Sequence, residues 1–198
     1  MLLYLYPGAC SLADHIALIE AGLSYELMAI DREKRTKDGR DYLTINPRGF
    51  VPSLEVEDGV ILTENLAILA HIADRSGALI PDGEFGRWRA LEALSYMATT
   101  IHGSLGPFFK NASDIEKEKS GKALTKGFAF LDAQMGEQSF LLGGTLSIAD
   151  PYLFWALLAA SRFNVAVPDR LRAFFDRMNR EPSVIQALAE EGLSPMGP

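Results

Sequence analysis

The chain has 198 residues, 48% of them hydrophobic and 23% charged, a composition typical of a globular protein. Its formal net charge of −7 argues against a nucleic-acid binder, which needs a basic surface, and its single cysteine excludes an internal disulfide and any multi-cysteine zinc site. Because the sequence shows neither a secretory signal nor an apolar run long enough to cross a membrane, we expect a cytoplasmic protein without a metal or a membrane partner.

The single cysteine stands where a strand passes into a helix. Residues 2–6 form a short apolar and aromatic run that predicts a buried strand, ended by Pro7-Gly8. A helix is predicted next, with Ser11 as its N-cap and Asp14 in the capping-box position. Cys10 would then lie at the helix start, where free N–H groups stabilise an anion, either its own thiolate or the sulfur of a bound thiol. A buried, inert cysteine remains the alternative.

The rest of the first part predicts a thioredoxin-like domain over residues 1–77. Residues 25–30 alternate as a second strand parallel to the first, and the densely charged residues 31–39 predict a solvated loop or short helix that supplies cations. Pro52 predicts the start of a third strand, which turns at Glu57-Asp58-Gly59 into an antiparallel fourth. A helix capped by Thr63 and ended by Gly77 would follow. Position 13 is alanine, so the second cysteine of a redox pair is missing.

A change of pattern marks the domain boundary. Residues 78–86 are rich in glycine and proline and predict a linker, and residues 87–198 predict an all-helical domain, so the fold class is α/β plus all-α. Helices are expected over residues 87–110, bent or ended by Pro107, over residues 114–135, and near the C-terminus over residues 169–178 and 182–189. Between them, Ser147 and Asp150 predict a capping box at the start of a strongly apolar, buried helix.

One histidine of the helical part is a candidate for chemistry. His102 lies beside apolar Ile101 and near Ser95, Thr99 and Phe109, which fits a polar group lining a cleft. A histidine satisfied within the core is the alternative on these residues alone.

Three motifs together resemble the bacterial beta-class glutathione transferases, and the resemblance runs the whole length of the chain. They are Tyr-x-x-Pro-Gly-Ala-Cys-Ser-Leu-x-x-His-Ile at 4–16, Asn-Pro-Arg-Gly-Phe-Val-Pro at 46–52 and Leu-Thr-Glu-Asn-x-Ala-Ile at 62–68. The resemblance implies a thioredoxin-like domain followed by a helical bundle, glutathione as co-substrate and assembly as a homodimer. The second substrate would be a small, hydrophobic electrophile, as in detoxification.

The resemblance also implies roles for individual residues. The catalytic set would be Cys10, Ser11 and His102, and a cis proline would offer the Val51 backbone to the cysteinyl group. The γ-glutamyl group would meet Glu64 and Asn65, where Asn65 replaces the family's serine. The full set of implied glutathione contacts is Cys10, Lys34, Arg35, Val51, Pro52, Glu64, Asn65, Ser95, Thr99 and His102. The implied electrophile pocket contains Tyr6, Phe108 and Phe109.

Two positions depart from the family pattern in the helical domain. Gly103 replaces a lysine that follows the histidine, and Ser95 replaces an asparagine on the preceding turn. The main hypothesis is that the chain conjugates glutathione to an electrophile. One alternative is thiol–disulfide exchange through a mixed disulfide of Cys10 with glutathione, and a second is a non-enzymatic carrier or interaction protein. The intact set of implied contacts favours the enzyme.

Overall fold

A computed structural model of the chain describes residues 1–57, 59–110 and 112–194. They form two compact units, one containing Met1–Ala78 and residues 181–194, the other Leu79–Arg180. The break falls at the start of the predicted linker. Within the described ranges, no helix has both the length and the apolar character that a membrane span requires.

The first unit contains a four-stranded sheet with helices in the predicted order. Its elements are β1 (Leu2–Leu5), α1 (Ser11–Glu20), β2 (Glu26–Ala29), a short 3-10 turn (Tyr42–Thr44), β3 (Ser53–Glu57), β4 (Val60–Thr63) and α2 (Asn65–Ser76). The strand order is β2-β1-β3-β4, with β1 parallel to β2 and β3 antiparallel to both of its neighbours. This confirms the thioredoxin-like prediction. Asp58, in the predicted turn between β3 and β4, lies outside the described residues.

Both helix caps predicted for this unit are wrong. Cys10 already has helical backbone angles, so Ser11 is the first residue of α1, and its hydroxyl oxygen lies 3.4 Å from the backbone N and O of Tyr6 instead of capping the helix. Thr63 remains in β4, and Glu64 precedes α2 without a side-chain capping bond. In each place the expected capping residue already lies inside a regular element, Ser11 in α1 and Thr63 in β4.

The second unit is all-helical, as predicted. It contains α3 (Gly86–Tyr96), a π-helical segment (Met97–His102), α4 (Gly103–Phe109), α5 (Asp114–Met135), α6 (Ala149–Arg162) and α7 (Asp169–Met178). The single helix predicted over residues 87–110 is therefore interrupted. Thr99 lies in the interruption, and its hydroxyl donates to the Ser95 carbonyl at 2.9 Å, the acceptor that a regular α-helix gives to the Thr99 N–H.

The predicted pairing of Ser147 with Asp150 forms at the start of α6, but Ile148 and not Ser147 is the N-cap of the helix. One oxygen of the Asp150 carboxyl accepts from the Ser147 N–H and hydroxyl, each at 2.8 Å, and the other accepts from the Leu141 N–H at 2.8 Å. All of these groups are buried, and burial raises the pKa of Asp150 to about 6. The carboxyl therefore joins the preceding loop to the most buried helix of the unit.

The last helix, α8 (Pro182–Glu190), belongs to the first unit, although the sequence assigned it to the helical domain. Its end presents two carboxylates to His15 on α1, with Nε2 2.9 Å from Glu190 Oε2 and Nδ1 3.1 Å from Glu191 Oε1. The second carboxylate oxygen of Glu191, Oε2, accepts from the Gly8 N–H at 2.8 Å. These polar contacts hold the C-terminal helix against α1 and against the turn that precedes Cys10.

Candidate active site

Cys10 lies at the start of α1, as predicted, but in the thiol form. Its Sγ donates to the Val51 carbonyl at 3.3 Å. Burial, with a smaller contribution from the Asp14 carboxyl, raises the pKa of Cys10 to about 12 from an ordinary 9.0. The helix start alone favours a thiolate, but desolvation outweighs it in this place. Of the two anions that the helix start could stabilise, the raised pKa disfavours the Cys10 thiolate and leaves the sulfur of a bound thiol.

The loop before β3 is held by a compact hydrogen-bond network. The Val51-Pro52 peptide bond is cis, as the family resemblance implied. The Phe50 carbonyl accepts from the Tyr42 hydroxyl at 2.8 Å and from Asn46 Nδ2 at 2.9 Å, and both side chains also contact the Ser53 hydroxyl. The loop therefore presents its Val51 carbonyl to Cys10 from a well-supported backbone.

Glu64 and Asn65 lie at the start of α2 with different surroundings. Glu64 has a φ of 72°, and its exposed carboxylate pairs with Arg48 Nη1 at 2.6 Å. Asn65 is buried, and its Nδ2 donates to the Cys10 carbonyl at 2.9 Å and to Asp14 Oδ2 at 2.7 Å. The Asn65 amide thus faces α1 instead of the outside of the helix start. The first N–H groups of α2 have no acceptor within the helix, which suits them to bind an anion.

The two candidate cations of the charged loop are placed differently. Lys34 Nζ donates to the Gly49 carbonyl at 2.6 Å, on the loop that leads to Val51. Arg35 is exposed, and its backbone N–H bonds Asp31. Lys34 therefore lies beside the loop that leads to the cis proline, whereas the Arg35 side chain is exposed to solvent. Tyr6, assigned to the electrophile pocket, contacts Arg32 through its hydroxyl at 3.3 Å.

His102 ends the π-helical segment of the second unit and is fixed by two aromatic residues of α6. Its Nδ1 is 2.7 Å from the Tyr152 hydroxyl, and its ring meets the Trp155 ring edge-on with centroids 4.5 Å apart. Tyr152 and Trp155 stack on each other in turn. The contact at Nδ1 and the packing on Trp155 fix the orientation of the ring.

The other candidates of the second unit lie on the same helical stretch. Thr99 has its hydroxyl bonded to its own helix, and Ser95 offers its carbonyl to that bond. Phe108 and Phe109 both pack on Phe163, with centroid distances of 5.3 and 5.2 Å. These two rings form an aromatic cluster at the end of α4.

Several residues that support the site were not predicted from the sequence. In the first unit, Arg48 pairs with the Glu64 carboxylate. Tyr42 and Asn46 donate hydrogen bonds to the Phe50 carbonyl in the loop before β3. In the second unit, Tyr152 and Trp155 contact the His102 ring. Arg48 and Asn46 could have been suspected, because both stand inside the motif at 46–52. Nothing local to Tyr152 or Trp155 distinguishes them from other apolar residues of a buried helix. Within residues 1–57, 59–110 and 112–194, no group of three or more potential ligands could hold a metal ion.

Comparison with known proteins gives the same family on both halves of the chain. The family model described as "Glutathione S-transferase, N-terminal domain" matches residues 1–74, and that described as "Glutathione S-transferase, C-terminal domain" matches residues 92–182. Glutathione S-transferase GstA from Escherichia coli O157:H7 is 36% identical and is aligned over 98% of this chain and 100% of its own.

Two solved structures from sphingomonads are similarly close. One is the bacterial beta-class glutathione S-transferase of Sphingomonas chungbukensis and the other a sphingomonad glutathione S-transferase complexed with glutathione. Each shares 37% identity with a TM-score of 0.88, over 98% of this chain and 100% of the other. With both family models matched and relatives aligned over nearly their whole length, this chain belongs to the glutathione S-transferase family, beside members of the bacterial beta class.

Proposed function

We propose that the protein conjugates the thiol of glutathione to a small, hydrophobic electrophile. The observation that carries this proposal is the arrangement around Cys10, where the starts of α1 and α2 and the Val51-Pro52 bond are joined by direct hydrogen bonds. Two helix starts provide two anion sites, one for a thiolate and one for a carboxylate. Glutathione carries both groups and a free ammonium.

Each part of glutathione has a proposed partner in the first unit. The cysteinyl backbone would pair with Val51, next to Pro52, and the γ-glutamyl carboxylate with the first N–H groups of α2. The γ-glutamyl ammonium would meet Glu64 and would displace Arg48, whose pairing is exposed and therefore weak. Lys34, with Arg35 as the second candidate cation, would meet the carboxylate at the other end of glutathione.

The chemistry follows from the placement of the sulfur at the α1 start. Cys10, Ser11 and the first N–H groups of α1 would donate to the glutathione sulfur, which lowers its pKa so that the thiol releases its proton. The thiolate then forms a carbon–sulfur bond with the electrophile. In a substitution the leaving group, such as chloride, departs with the electron pair of its bond to carbon, and in an addition the neighbouring atom receives the electron pair and takes up a proton. His102, with Ser95 and Thr99 on the same helical stretch, would assist the proton transfer, and Tyr6, Phe108 and Phe109 would line the electrophile pocket.

Thiol–disulfide exchange through Cys10 is less well supported than conjugation. A pKa of about 12 instead of 9.0 lowers the thiolate fraction near neutral pH by a factor of about 1000, so Cys10 should be a poor nucleophile. We expect iodoacetamide to alkylate Cys10 of the unliganded protein at pH 8 at least about tenfold more slowly than free cysteine, with the rate rising steeply at higher pH. Mass spectrometry of timed samples measures the rate. Labelling of Cys10 as fast as that of free cysteine would contradict its raised pKa and would favour thiol–disulfide exchange.

His102→Ala is expected to lower kcat for conjugation by about 10- to 100-fold and to leave KM for glutathione within about twofold, because the proposed role of His102 is in proton transfer. Tyr152→Phe should lower kcat less and shift the pH dependence of kcat, since it keeps the imidazole and removes the hydroxyl that contacts its Nδ1. Steady-state kinetics with 1-chloro-2,4-dinitrobenzene measures both. A His102→Ala variant with unchanged kcat, or with lost glutathione binding, would contradict the role.

We also propose that the protein is a cytoplasmic homodimer. Phe50 on the first unit is 75% exposed and Trp88 on the second is 62% exposed, and side chains of this size commonly anchor interfaces. Light scattering after size exclusion should give the mass of two chains, and Phe50→Ala should shift the equilibrium towards one chain. A one-chain mass for the unsubstituted protein at micromolar concentration would contradict the dimer.

A further inference from the structure

A buried carboxyl joins the two helix starts of the proposed glutathione site. Asp14 lies on α1 one turn after Cys10, is fully buried, and accepts from Asn65 Nδ2 at 2.7 Å. Its other oxygen, Oδ1, has no hydrogen-bond partner among the described residues. Burial raises the pKa of Asp14 well above its usual value, with a smaller contribution from Glu191. A buried carboxyl with one unpaired oxygen destabilises a fold, and such groups occur mostly where function requires them.

The carboxyl determines how the Asn65 side chain can be used. The Asn65 amide nitrogen carries two hydrogens, and the structure directs one to Asp14 Oδ2 and the other to the Cys10 carbonyl. Both donors of the amide are thereby committed to α1. The Asn65 side chain therefore has no hydrogen left for a ligand carboxylate, and the backbone N–H groups of α2 must bind that carboxylate instead.

We propose that Asp14 is a positioning residue that, through Asn65, sets the distance between the thiol subsite at the start of α1 and the γ-glutamyl subsite at the start of α2. This inference rests on the proposed glutathione site. Glutathione must reach both subsites at once, so its binding depends on their spacing. A thiol that occupies only the α1 subsite does not depend on it. The dipeptide Cys-Gly is such a thiol, because it lacks the γ-glutamyl group.

The test compares these two thiols in four proteins: the unsubstituted chain, Asp14→Ala, Asp14→Asn and Leu18→Ala. The asparagine retains an acceptor for Asn65, and Leu18→Ala is the matched control, a destabilising change at a buried position further along α1. We expect Asp14→Ala to raise KM for glutathione by about tenfold or more, with kcat changed far less, because small displacements between subsites weaken a bridging ligand strongly. The kcat/KM for Cys-Gly should stay unchanged, and Asp14→Asn should restore the KM for glutathione.

Asn65→Ala supplies a second, independent readout. It breaks the same connection from the α2 side, so it should raise KM to a similar extent, and the Asp14→Ala/Asn65→Ala double variant should be no worse than either single variant. An unchanged KM in Asp14→Ala overturns the inference, as does an equal loss with both thiols that Leu18→Ala reproduces. If the unsubstituted protein does not bind glutathione, the proposed function fails before the variants are compared.

Discussion

Replacing His15 with alanine is expected to lower the free energy of unfolding by about 2–4 kcal/mol, because it removes a fully buried ring and leaves a buried carboxyl group without one of its hydrogen-bond partners. Both the His15 and the Glu191 side chains are fully buried. Without the imidazole, the Glu191 carboxylate would keep the Gly8 N–H as a partner but would lose the ring that now lies between it and Glu190. Urea unfolding followed by circular dichroism measures the change.

The loss should also have a local signature. Because Glu191 holds the Gly8 N–H, release of the end of α8 should speed hydrogen exchange in the turn before Cys10, which exchange mass spectrometry can resolve. Glu92→Ala serves as the control, since it removes only an exposed pair with Arg89 and should change stability by less than about 1 kcal/mol. A His15→Ala variant as stable as this control would show that the buried contacts do not hold α8 in place.

The contacts of Glu190 predict a contribution to the free energy of unfolding that is lost in acid. Burial opposes ionisation of Glu190, but hydrogen bonds from Gln186, Tyr25 and His15 outweigh it and lower the pKa of the carboxyl below its usual 4.5. The stabilisation from the ionised Glu190 carboxylate is therefore complete above pH 4.5, and it is lost as the pH falls through the lower pKa of the folded state. As the pH falls from 4.5 to the folded-state pKa of Glu190, the free energy of unfolding of the original chain should decrease more steeply than that of His15→Ala.

Replacing Asp150 with alanine is expected to lower the free energy of unfolding by about 2–4 kcal/mol, because it leaves three buried donors on Leu141 and Ser147 without their acceptor. The exposed capping box of α5 offers a matched control. There Ser113 and Glu116 bond reciprocally at the surface, and Ser113→Ala should cost only about 1 kcal/mol. Chemical unfolding of the two variants side by side measures the difference.

The pKa of Asp150 adds a pH test with a defined sign. Since the folded value of about 6 lies above the ordinary 3.8, the folded protein keeps a proton that the unfolded chain has already released between these two values. Stability from this group therefore falls as the pH rises from 3.8 to about 6, and Asp150→Ala lacks that component. The substitution should cost more at pH 4 than at pH 7. An equal cost at both values would contradict the raised pKa.

Local patterns predicted most of the fold because its elements follow simple rules. Asp114–Met135 and Asp169–Met178 begin and end as the helical periodicity indicates, and the strands of the first unit follow the apolar runs between turn residues. The assignment of α8 could not be predicted in this way. It depends on pairing of Glu190 and Glu191 with His15, which is about 175 residues away along the chain, and no local pattern reports such a contact.

The placement of Cys10 at a helix start could be predicted from the sequence, but the electrostatics around it could not. The start of α1 correctly located Cys10, yet its protonation depends on burial by other segments and on Asp14, which a helix-start argument does not include. Asn65 was expected to face a ligand, whereas the structure turns its amide to Asp14 and the Cys10 carbonyl. The π-helical segment that ends at His102 was not predicted either, because the apolar spacing of residues 87–110 is compatible with an uninterrupted helix.

Calorimetric titration of the purified protein with reduced glutathione tests the central claim most directly. We expect one site per chain, with affinity weakened about 100-fold, or about 2.7 kcal/mol, in Glu64→Ala, which removes the proposed partner of the ammonium. Glu20→Ala, an exposed carboxylate at the far end of α1, should bind as the original chain does. Absence of detectable heat at millimolar glutathione, or equal affinity in Glu64→Ala, would contradict the proposed site.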